Sequence, residues 1–206
     1  MPTALRSRTQ LPYSPEHKAK TRARIVECAR MLFNQHGFEG VSIEMVMAEA
    51  SLTRGGFYNH FRSKEELFAA AVESFLMGRG AEWRAKAGID PFNINGHSAA
   101  AMIAGYLSPE HLQDLQGQCP MIALPSDVAR GNTEVQAAYQ KLLTAMVSLF
   151  ERSLTEAGAP DARRRALVLA SLCVGGMVLA RTLPKSPLTE DLRSAAFDEA
   201  INIAQV

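Results

Sequence analysis

The sequence predicts an all-α protein with an N-terminal three-helix domain followed by a larger C-terminal helical domain. Three observations support this fold class. Apolar residues recur at spacings of three and four residues along most of the chain, which is the period of a helix. Ser, Thr and Pro stand where helices would begin, and Gly and Pro stand where they would end. Stretches with the alternation of a strand are scarce, and 206 residues suffice for two packed domains.

The chain begins with a segment that precedes any helical pattern. We expect residues 1–13 to form a flexible basic arm, which either reaches a DNA groove or stays solvated. Ser14 and Pro15 then predict the start of a first helix that ends near His36. The N-terminal domain is predicted to span residues 14–63.

Residues 41–67 predict two short helices joined by a tight turn. Ser42 caps a helix with one apolar face, and Thr53 caps a second helix of about two turns. In the second helix Phe57 and Phe61 face inward. Its outward face consists of Arg54, Gly55, Tyr58, Asn59 and His60. Such a face is poor in helix propensity and rich in hydrogen-bond donors, which indicates contact with a partner.

The residues beside this face suggest a phosphate contact. Gly55 keeps the start of the second helix slim, so that backbone N–H groups can approach a phosphate. Ser63 and Glu66 form a predicted capping box for the next helix, which places Lys64 in its first turn.

These residues resemble the helix-turn-helix of the TetR family of transcriptional repressors. The family pattern, which ends in Tyr-x-His-Phe and Ser-Lys-Glu-Glu-Leu, is met by Ser42, Glu44, Tyr58, His60, Phe61, Ser63, Lys64, Glu65, Glu66 and Leu67. Ser51 departs from the pattern, because this turn position is usually Gly in the family. The resemblance covers roughly residues 20–75.

The resemblance implies a homodimer that binds double-stranded DNA at a palindromic operator, since one short helix contacts too few base pairs. It implies that Asn59 or Arg54 reads base edges. Phosphates would be held by Ser42, Thr53, Tyr58, His60 and Lys64, with Lys20 and Arg22 of the first helix as further candidates. The alternative for Lys20 and Arg22 is a merely solvated basic face. A small-molecule inducer bound in the second domain would release the DNA.

The second domain is predicted to span residues 64–206 and to bind a ligand. Its first helix is expected to continue to about Lys86, with Gly78 and Gly80 as weak points, and residues 87–96 form a loop. Further helices are predicted from His97 to Leu107, from Ser108, from Met121 to Gly131 and from Thr133 to Ala157.

A cavity between the first helix of this domain and the later ones is the predicted ligand site. Its candidate lining is Phe75, Trp83, Met102, Tyr106, Cys119, Met121, Tyr139, Leu143 and Met146. The alternative is that these residues are ordinary core. Polar groups that converge there are few, namely Tyr106, His111, Gln118 and Tyr139. We therefore expect a mostly apolar ligand and no cofactor.

The last two helices predict a dimer interface. The helix from Asp161 to Leu183 is apolar on nearly every side, and the final helix begins near Thr189. The resemblance implies that these helices form a four-helix bundle with a second copy. The predicted interface residues are Leu167, Ser171, Val174, Gly175, Val178, Leu192, Ala196 and Ala200. The alternative is a central helix buried within one chain.

Cys119 has two interpretations. With Pro120 at the first helical position, it would be an N-cap thiol whose pKa is lowered, and thus a sensor of electrophiles or oxidants. The commoner role is that of a small buried hydrophobe. The cysteines and histidines lack metal-ligand spacing, and no catalytic motif is present, so we predict neither a metal site nor an enzyme.

Charge separates the two ends of the chain. Residues 1–64 carry a net charge of +5 and the remaining residues −4, which suits nucleic acid at the N-terminal end. The longest apolar run, residues 166–180, is shorter than the ~20 residues that span a bilayer. No targeting segment is apparent. We expect a cytoplasmic protein that does not bind a membrane.

Overall fold

A computed structural model describes residues 14–205, and these fold into eleven α-helices and one 3₁₀ helix without a strand. The all-α prediction is therefore confirmed. The predicted arm, residues 1–13, lies outside the described residues. In chain order the elements are α1 (Pro15–His36), α2 (Ile43–Glu49), the 3₁₀ helix (Arg54–Asn59), α3 (Lys64–Met77), α4 (Arg79–Lys86), α5 (Ser98–Tyr106), α6 (Pro109–Gln113), α7 (Pro120–Ala123), α8 (Pro125–Arg130), α9 (Thr133–Glu156), α10 (Ala162–Thr182) and α11 (Pro187–Ala204).

The N-terminal helices pack around a cluster of phenylalanines. Phe33 of α1, Phe57 of the 3₁₀ helix and Phe68 of α3 are all at most 1% exposed. The rings of Phe33 and Phe68 meet edge to face with centroids 4.9 Å apart. Between α2 and the 3₁₀ helix, Ser51 has φ 53°. This left-handed conformation costs a non-glycine residue roughly 1–2 kcal/mol, and the buried cluster offsets that cost.

Helix α3 connects the N-terminal helices to the body. The predicted continuation of this helix to Lys86 is wrong, because Gly78 has φ −97° and ψ −113° and α4 begins anew at Arg79. Glycine has a weak helix propensity, so the break costs little there. The Phe75 ring packs so closely that a Cβ at Gly80 would lie 2.8 Å from it. Only glycine allows this approach without a shift.

The predicted helix from Met121 to Gly131 is in fact two short helices, α7 and α8. Leu124 has ψ 17° and its N–H bonds the Pro120 carbonyl oxygen at 2.9 Å, which closes α7. Pro125 then starts α8, since proline lacks the N–H that a continuous helix would need. The cap of α9 is Asn132, one residue before the predicted Thr133, and its Oδ1 accepts from the Val135 N–H at 3.0 Å.

The body is built on α9 and α10, with α3 and α11 against their outer sides. Phe150 and Leu154 of α9 and Leu169 of α10 are at most 1% exposed. By length and composition alone, α10 is apolar enough to cross a membrane. Its buried residues, among them Met177, pack in the core, and one such helix is weak evidence for a membrane span.

Helix α10 is not buried on every side. Leu167, Val168 and Leu179 are 47%, 40% and 54% exposed. The prediction that Ala196 and Ala200 lie on an outward interface is wrong, because they are 9% and 0% exposed within one chain. They pack on α10, where a Cβ at Gly176 would lie 2.6 Å from the Ala196 Cβ. Of the other predicted interface residues, Ser171 is exposed and Val174, Gly175, Val178 and Leu192 are half-buried.

Candidate nucleic-acid interface and internal cavity

The 3₁₀ helix presents a polar outer face on an apolar anchor. Phe57 and Phe61 are 0% and 2% exposed, whereas Tyr58 is 62% exposed. Arg54 and Asn59 are exposed as well. The sequence predicted an α-helix of about two turns after Thr53. The tighter 3₁₀ form is typical of short pieces, and its two glycines favour no long helix.

Basic side chains of α1 lie beside this face. Burial of the His60 imidazole lowers its pKa. The nearby positive charges of Lys18 and Arg22 lower it further. The Arg22 guanidinium sits 4.4 Å from the centroid of the Phe61 ring. The His60 Nδ1 atom is buried and has no hydrogen-bond partner among the described residues. His60 is therefore held neutral beside two cations, a setting that suits an anionic partner.

Lys18 was not among the predicted contacts, although its spacing to Arg22 could have revealed it. Residues four apart share one side of a helix, so Lys18 and Arg22 face the same way. Lys20 is turned about 200° from both, and its Nζ pairs with Glu16 Oε1 at 2.7 Å. Lys20 therefore points away from the side of α1 that faces His60.

The remaining predicted contacts surround the 3₁₀ helix. Ser42 Oγ accepts from the Met45 N–H at 3.2 Å, as an N-cap should. Thr53 is exposed and makes no side-chain cap bond, so its hydroxyl is not used in capping. A Cβ at Gly55 would meet nothing within 4 Å, so nothing inside the chain requires a glycine there.

Lys64 and the capping of α3 complete this surface. The Lys64 Nζ lies 4.2 Å from the centroid of the Phe38 ring. Ser63 Oγ accepts from the Glu66 N–H at 3.2 Å, which is one half of the predicted capping box. In the other half of a capping box the Glu66 side chain would accept from the Ser63 N–H. Here Glu66 Oε2 accepts from the Arg62 N–H instead, at 2.8 Å.

One ion pair lies at the edge of the face. Arg54 Nη1 is 2.7 Å from Glu44 Oε1, and the two side chains are 65% and 50% exposed. Water and salt screen an exposed pair of this kind, so it contributes little to stability. Little free energy is therefore lost when the Arg54 guanidinium leaves Glu44 to bind a phosphate or a base edge.

The body contains a cavity of about 630 Å³ between the end of α3, α4, α5 and α9. Seven predicted residues line it, namely Phe75, Trp83, Met102, Tyr106, Cys119, Met121 and Met146. The prediction of Tyr139 and Leu143 as lining residues is wrong. Leu143 is 37% exposed on the outside of α9, and the Tyr139 hydroxyl donates to the Met121 carbonyl oxygen at 3.4 Å. Ile89, Ile94 and Leu149 are lining residues that the sequence did not reveal.

His111 organises the polar end of this cavity. Its Nδ1 is 2.8 Å from the Tyr106 carbonyl oxygen, and its Nε2 accepts from the Cys119 N–H at 3.3 Å. Burial lowers the pKa of His111, so the ring is neutral. Its neighbours are aromatic, with ring centroids 5.0 Å away for both Trp83 and Tyr106. Gln118 is buried but is not part of the wall, since its Nε2 donates to the His111 carbonyl oxygen at 3.2 Å.

Cys119 does not have the lowered pKa that its N-cap position predicted. Burial raises the pKa of this thiol to about 11. The residue is 1% exposed, and α7 is a helix of a single turn. Desolvation of the thiolate therefore outweighs the small dipole of so short a helix. No group of three potential metal ligands occurs among residues 14–205.

A buried polar junction joins α1 to the body. Asn34 Nδ2 donates to the carbonyl oxygens of Gln116 and Gln118 at 3.1 and 2.7 Å. Arg30 Nη1 donates to the same Gln116 oxygen at 2.8 Å. From α10, Arg181 donates to the Asn34 carbonyl oxygen at 2.7 Å and also to Gln118 Oε1. The junction was not predicted from the sequence, although polar residues in the core-facing stripe of α1 were a usable signal.

Comparison with known proteins places these features in context. Residues 25–71 match the family model described as bacterial regulatory proteins, tetR family. Over 61 residues, which is 30% of each chain, the sequence is 41% identical to the uncharacterized HTH-type transcriptional regulator YfiR of Bacillus subtilis strain 168. The chain matches about a third or less of the length of such curated relatives.

Solved structures match over nearly the whole chain. A TetR transcriptional regulator from Chloroflexus aurantiacus J-10-FL is 25% identical with a TM-score of 0.67, and the match covers 91% of this chain and 95% of that one. The reduced form of Escherichia coli NemR is 19% identical with a TM-score of 0.71, over 89% and 96% of the two chains. The second similarity concerns the fold alone.

Proposed function

We propose that this chain, which belongs to the TetR family of transcriptional regulators, is a repressor that binds a palindromic operator as a homodimer. A small, mostly apolar inducer would release it. The observation that supports DNA binding best is the exposed face of the 3₁₀ helix, where Arg54, Tyr58 and Asn59 project from the anchor formed by Phe57. Regulators of this family are soluble and typically cytoplasmic, and they are not enzymes. We place this chain in the cytoplasm.

Base edges and phosphates would be contacted by different groups. Asn59 and Arg54 carry the donors that read adenine and guanine in the major groove. Lys64, Arg22 and Lys18 would neutralise phosphates on either side of it. Uncharged side chains would add hydrogen bonds to the DNA backbone, namely those of Tyr58, Thr53, Ser42 and His60. Gly55 would let a phosphate approach the start of the 3₁₀ helix.

A homodimer is supported by the apolar side chains that α10 and α11 leave exposed. Leu167, Val168, Leu179 and Leu188 are each at least 40% exposed. Gly175 belongs to the same helix, and a Cβ there would meet nothing within 4 Å in one chain. A second copy would cover these side chains. It would also set two recognition faces roughly 34–36 Å apart, one turn of the DNA helix.

Release by an inducer would act through the junction between α1 and the body. The segment from His111 to Gln118 connects the cavity to α1. Its first residue, His111, lines the cavity, and the carbonyl oxygen of its last residue, Gln118, accepts a hydrogen bond from Asn34. A ligand that pushes on His111 or Cys119 would shift the carbonyl oxygens that hold α1. The distance between the two recognition faces would then no longer match adjacent grooves of the DNA. The population would shift from the DNA-binding conformation to the released one.

A cysteine-based mechanism is the second candidate, because the Cys119 side chain lines the cavity. In that case the sulfur would add to the electrophilic carbon of an unsaturated carbonyl compound in the cavity, and the S–H proton would pass to the adduct. The raised pKa of the thiol, about 11, leaves roughly one thiolate in 10⁴ at pH 7. A ligand that binds reversibly is therefore the favoured inducer.

The test is selection of bound duplexes from a random DNA pool, with the full chain and with Tyr58→Ala and Lys64→Ala. Lys86→Ala is the matched control, since it removes an exposed positive charge from α4, outside both the DNA face and the proposed interface. We expect a palindrome for the unaltered chain and the control, and none for the two variants. If no duplex is enriched at any salt concentration, the chain is a helical binding protein without a DNA function.

A further inference from the structure

Two hydrogen-bond donors at one end of the cavity have no oxygen or nitrogen acceptor among the described residues. Among the described residues, the Trp83 Nε1 atom and the Tyr106 hydroxyl are buried without a hydrogen-bond partner of ordinary geometry. Both residues line the cavity, and Tyr106 is 6% exposed. The Cys119 thiol lies beside the Tyr106 hydroxyl, but sulfur is a weak acceptor. Buried donors are rarely left unpaired, so two in one cavity wall indicate a missing acceptor.

His111 cannot supply that acceptor. Its Nδ1 faces the Tyr106 carbonyl oxygen at 2.8 Å and must therefore carry the proton that is donated. Its Nε2 already accepts from the Cys119 N–H at 3.3 Å. Both ring nitrogens are thus used, and the imidazole is uncharged. The wall at this end of the cavity therefore offers two donors from uncharged side chains.

The cations of the wall are engaged elsewhere. Arg84 Nη2 donates to the Leu76 carbonyl oxygen at 2.6 Å, at the end of α3. Arg152 is exposed, and its Nη1 donates to the Pro91 carbonyl oxygen at 2.7 Å. Two further cations lie near Trp83, with Arg79 Cζ and Lys86 Nζ 5.6 and 5.8 Å from its ring centroid. Arg79 is already paired with Asp114 and Glu82, and Lys86 is exposed. A carboxylate placed between Trp83 and Tyr106 would thus be buried without an unpaired cation of the wall, which is unfavourable.

We infer that the inducer is an uncharged, mostly apolar molecule whose carbonyl-type oxygen accepts hydrogen bonds from the Trp83 Nε1 atom and the Tyr106 hydroxyl. This inference rests on the proposed function and specifies the ligand class of the same cavity. A carbonyl oxygen has two lone pairs and no proton, so it can satisfy both donors without adding one. The apolar part would occupy the rest of the 630 Å³, against side chains such as Phe75, Ile94 and Met102.

Matched ligands that differ by one carbonyl group test this inference. Benzophenone and diphenylmethane form one pair, fluorenone and fluorene form a second, and 4-benzoylbenzoate adds a charge to benzophenone. Trp83 is the single tryptophan of the chain, so its fluorescence reports on occupancy in the unaltered protein. Calorimetry gives the affinities for all variants. We expect each ketone to bind about tenfold more tightly than its hydrocarbon, and 4-benzoylbenzoate to bind more weakly than benzophenone.

Variants assign the preference to the two donors. Tyr106→Phe and Trp83→Phe should each reduce the ketone preference to about threefold and leave hydrocarbon affinity within about twofold. Tyr139→Phe is the matched control, because Tyr139 is not a lining residue and its hydroxyl donates to the Met121 backbone oxygen, and it should keep the full preference. Melting curves verify that each variant is folded.

Three results would overturn the inference: ketones that bind no more tightly than hydrocarbons, a carboxylate that binds more tightly than the ketone, or a preference that survives in both donor variants. Operator binding is measured separately and without ligand. A chain that binds an operator yet shows no ketone preference refutes only the ligand class. A chain that binds no DNA refutes the repressor function whatever the ligand result.

Discussion

Replacing Asn34 by Ala tests whether the N-terminal helices are held to the body through α1. Asn34 is 1% exposed, and its Nδ2 donates to the carbonyl oxygens of Gln116 and Gln118. In Asn34→Ala the Gln118 oxygen loses this bond, whereas the Gln116 oxygen keeps its bond to Arg30. The substitution therefore removes two hydrogen bonds across the junction without touching the DNA face.

The size of the effect follows from these bonds. Each net hydrogen bond contributes about 1 kcal/mol, and an unpaired carbonyl oxygen adds up to about 1 kcal/mol more. The free energy of unfolding should fall by about 2–3 kcal/mol. For a chain of this length the melting temperature should fall by roughly 5–10 °C. Amide protection in α1 should fall by roughly 30- to 150-fold, since about 1.4 kcal/mol corresponds to a factor of ten.

Hydrogen exchange measured by mass spectrometry locates the effect. Ser153→Ala is the matched control, because Ser153 is 0% exposed, donates to the Asn95 carbonyl oxygen at 2.7 Å and accepts from the Ala99 N–H at 2.9 Å. It also loses two buried bonds, but within the body. Protection should fall in α1 and α2 for Asn34→Ala, and around α5 for the control. An equal loss across α1 and α9 in Asn34→Ala would refute the assignment of the junction.

Four further predictions concern DNA binding, chain stability, the dimer and the Cys119 thiol. Lys64→Gln should weaken operator binding and reduce the slope of log affinity against log salt by about 0.9, as measured by anisotropy; an unchanged slope would exclude a phosphate contact. Gly176→Leu should destabilise the chain by about 3 kcal/mol or more, because even a Cβ there lies 2.6 Å from that of Ala196. Gly175→Leu should keep each chain folded but weaken the dimer in sedimentation equilibrium, and an unchanged dimer would move the interface elsewhere. Burial raises the Cys119 pKa from 9.0 to about 11, so iodoacetamide at pH 7 should label it about 100-fold more slowly than in the unfolded chain. The thiolate fraction, and with it the labelling rate, should rise about tenfold per pH unit up to the pKa; rapid labelling at pH 7 would contradict this reasoning.

Helix starts were predictable because their signals are local. Ser14, Ser42 and Ser108 each accept a bond from the N–H three residues later, as the sequence indicated. The break at Gly78 was harder to predict, since it depends on how Phe75 packs over the next helix. A sequence marks such a glycine as a weak point, but tertiary contacts decide whether the helix ends there.

The site was predictable where residue type decides it. Trp83 and Tyr106 are large aromatic side chains on two helices that flank the expected cavity, and both line it. Helix α9 contacts α3, α5 and α10, so the sequence did not fix its rotation, and Leu143 falls outside the cavity. The prediction that Ala196 lies in the dimer interface was wrong for a related reason. Small residues indicate a close helix approach, but they do not tell whether the partner helix belongs to the same chain.

The junction also limits how strongly a ligand can act on DNA binding. His111 and Cys119 line the cavity, and Gln118, between them in the chain, accepts the bond from Asn34. A ligand that displaces this segment can remove at most the bonds that hold α1, which are worth a few kcal/mol. Because a coupling free energy of about 1–3 kcal/mol corresponds to roughly 5- to 150-fold in affinity, induction through this path alone should weaken operator binding by no more than about two orders of magnitude. A larger effect would require that α3 and α4, which also line the cavity, move as well.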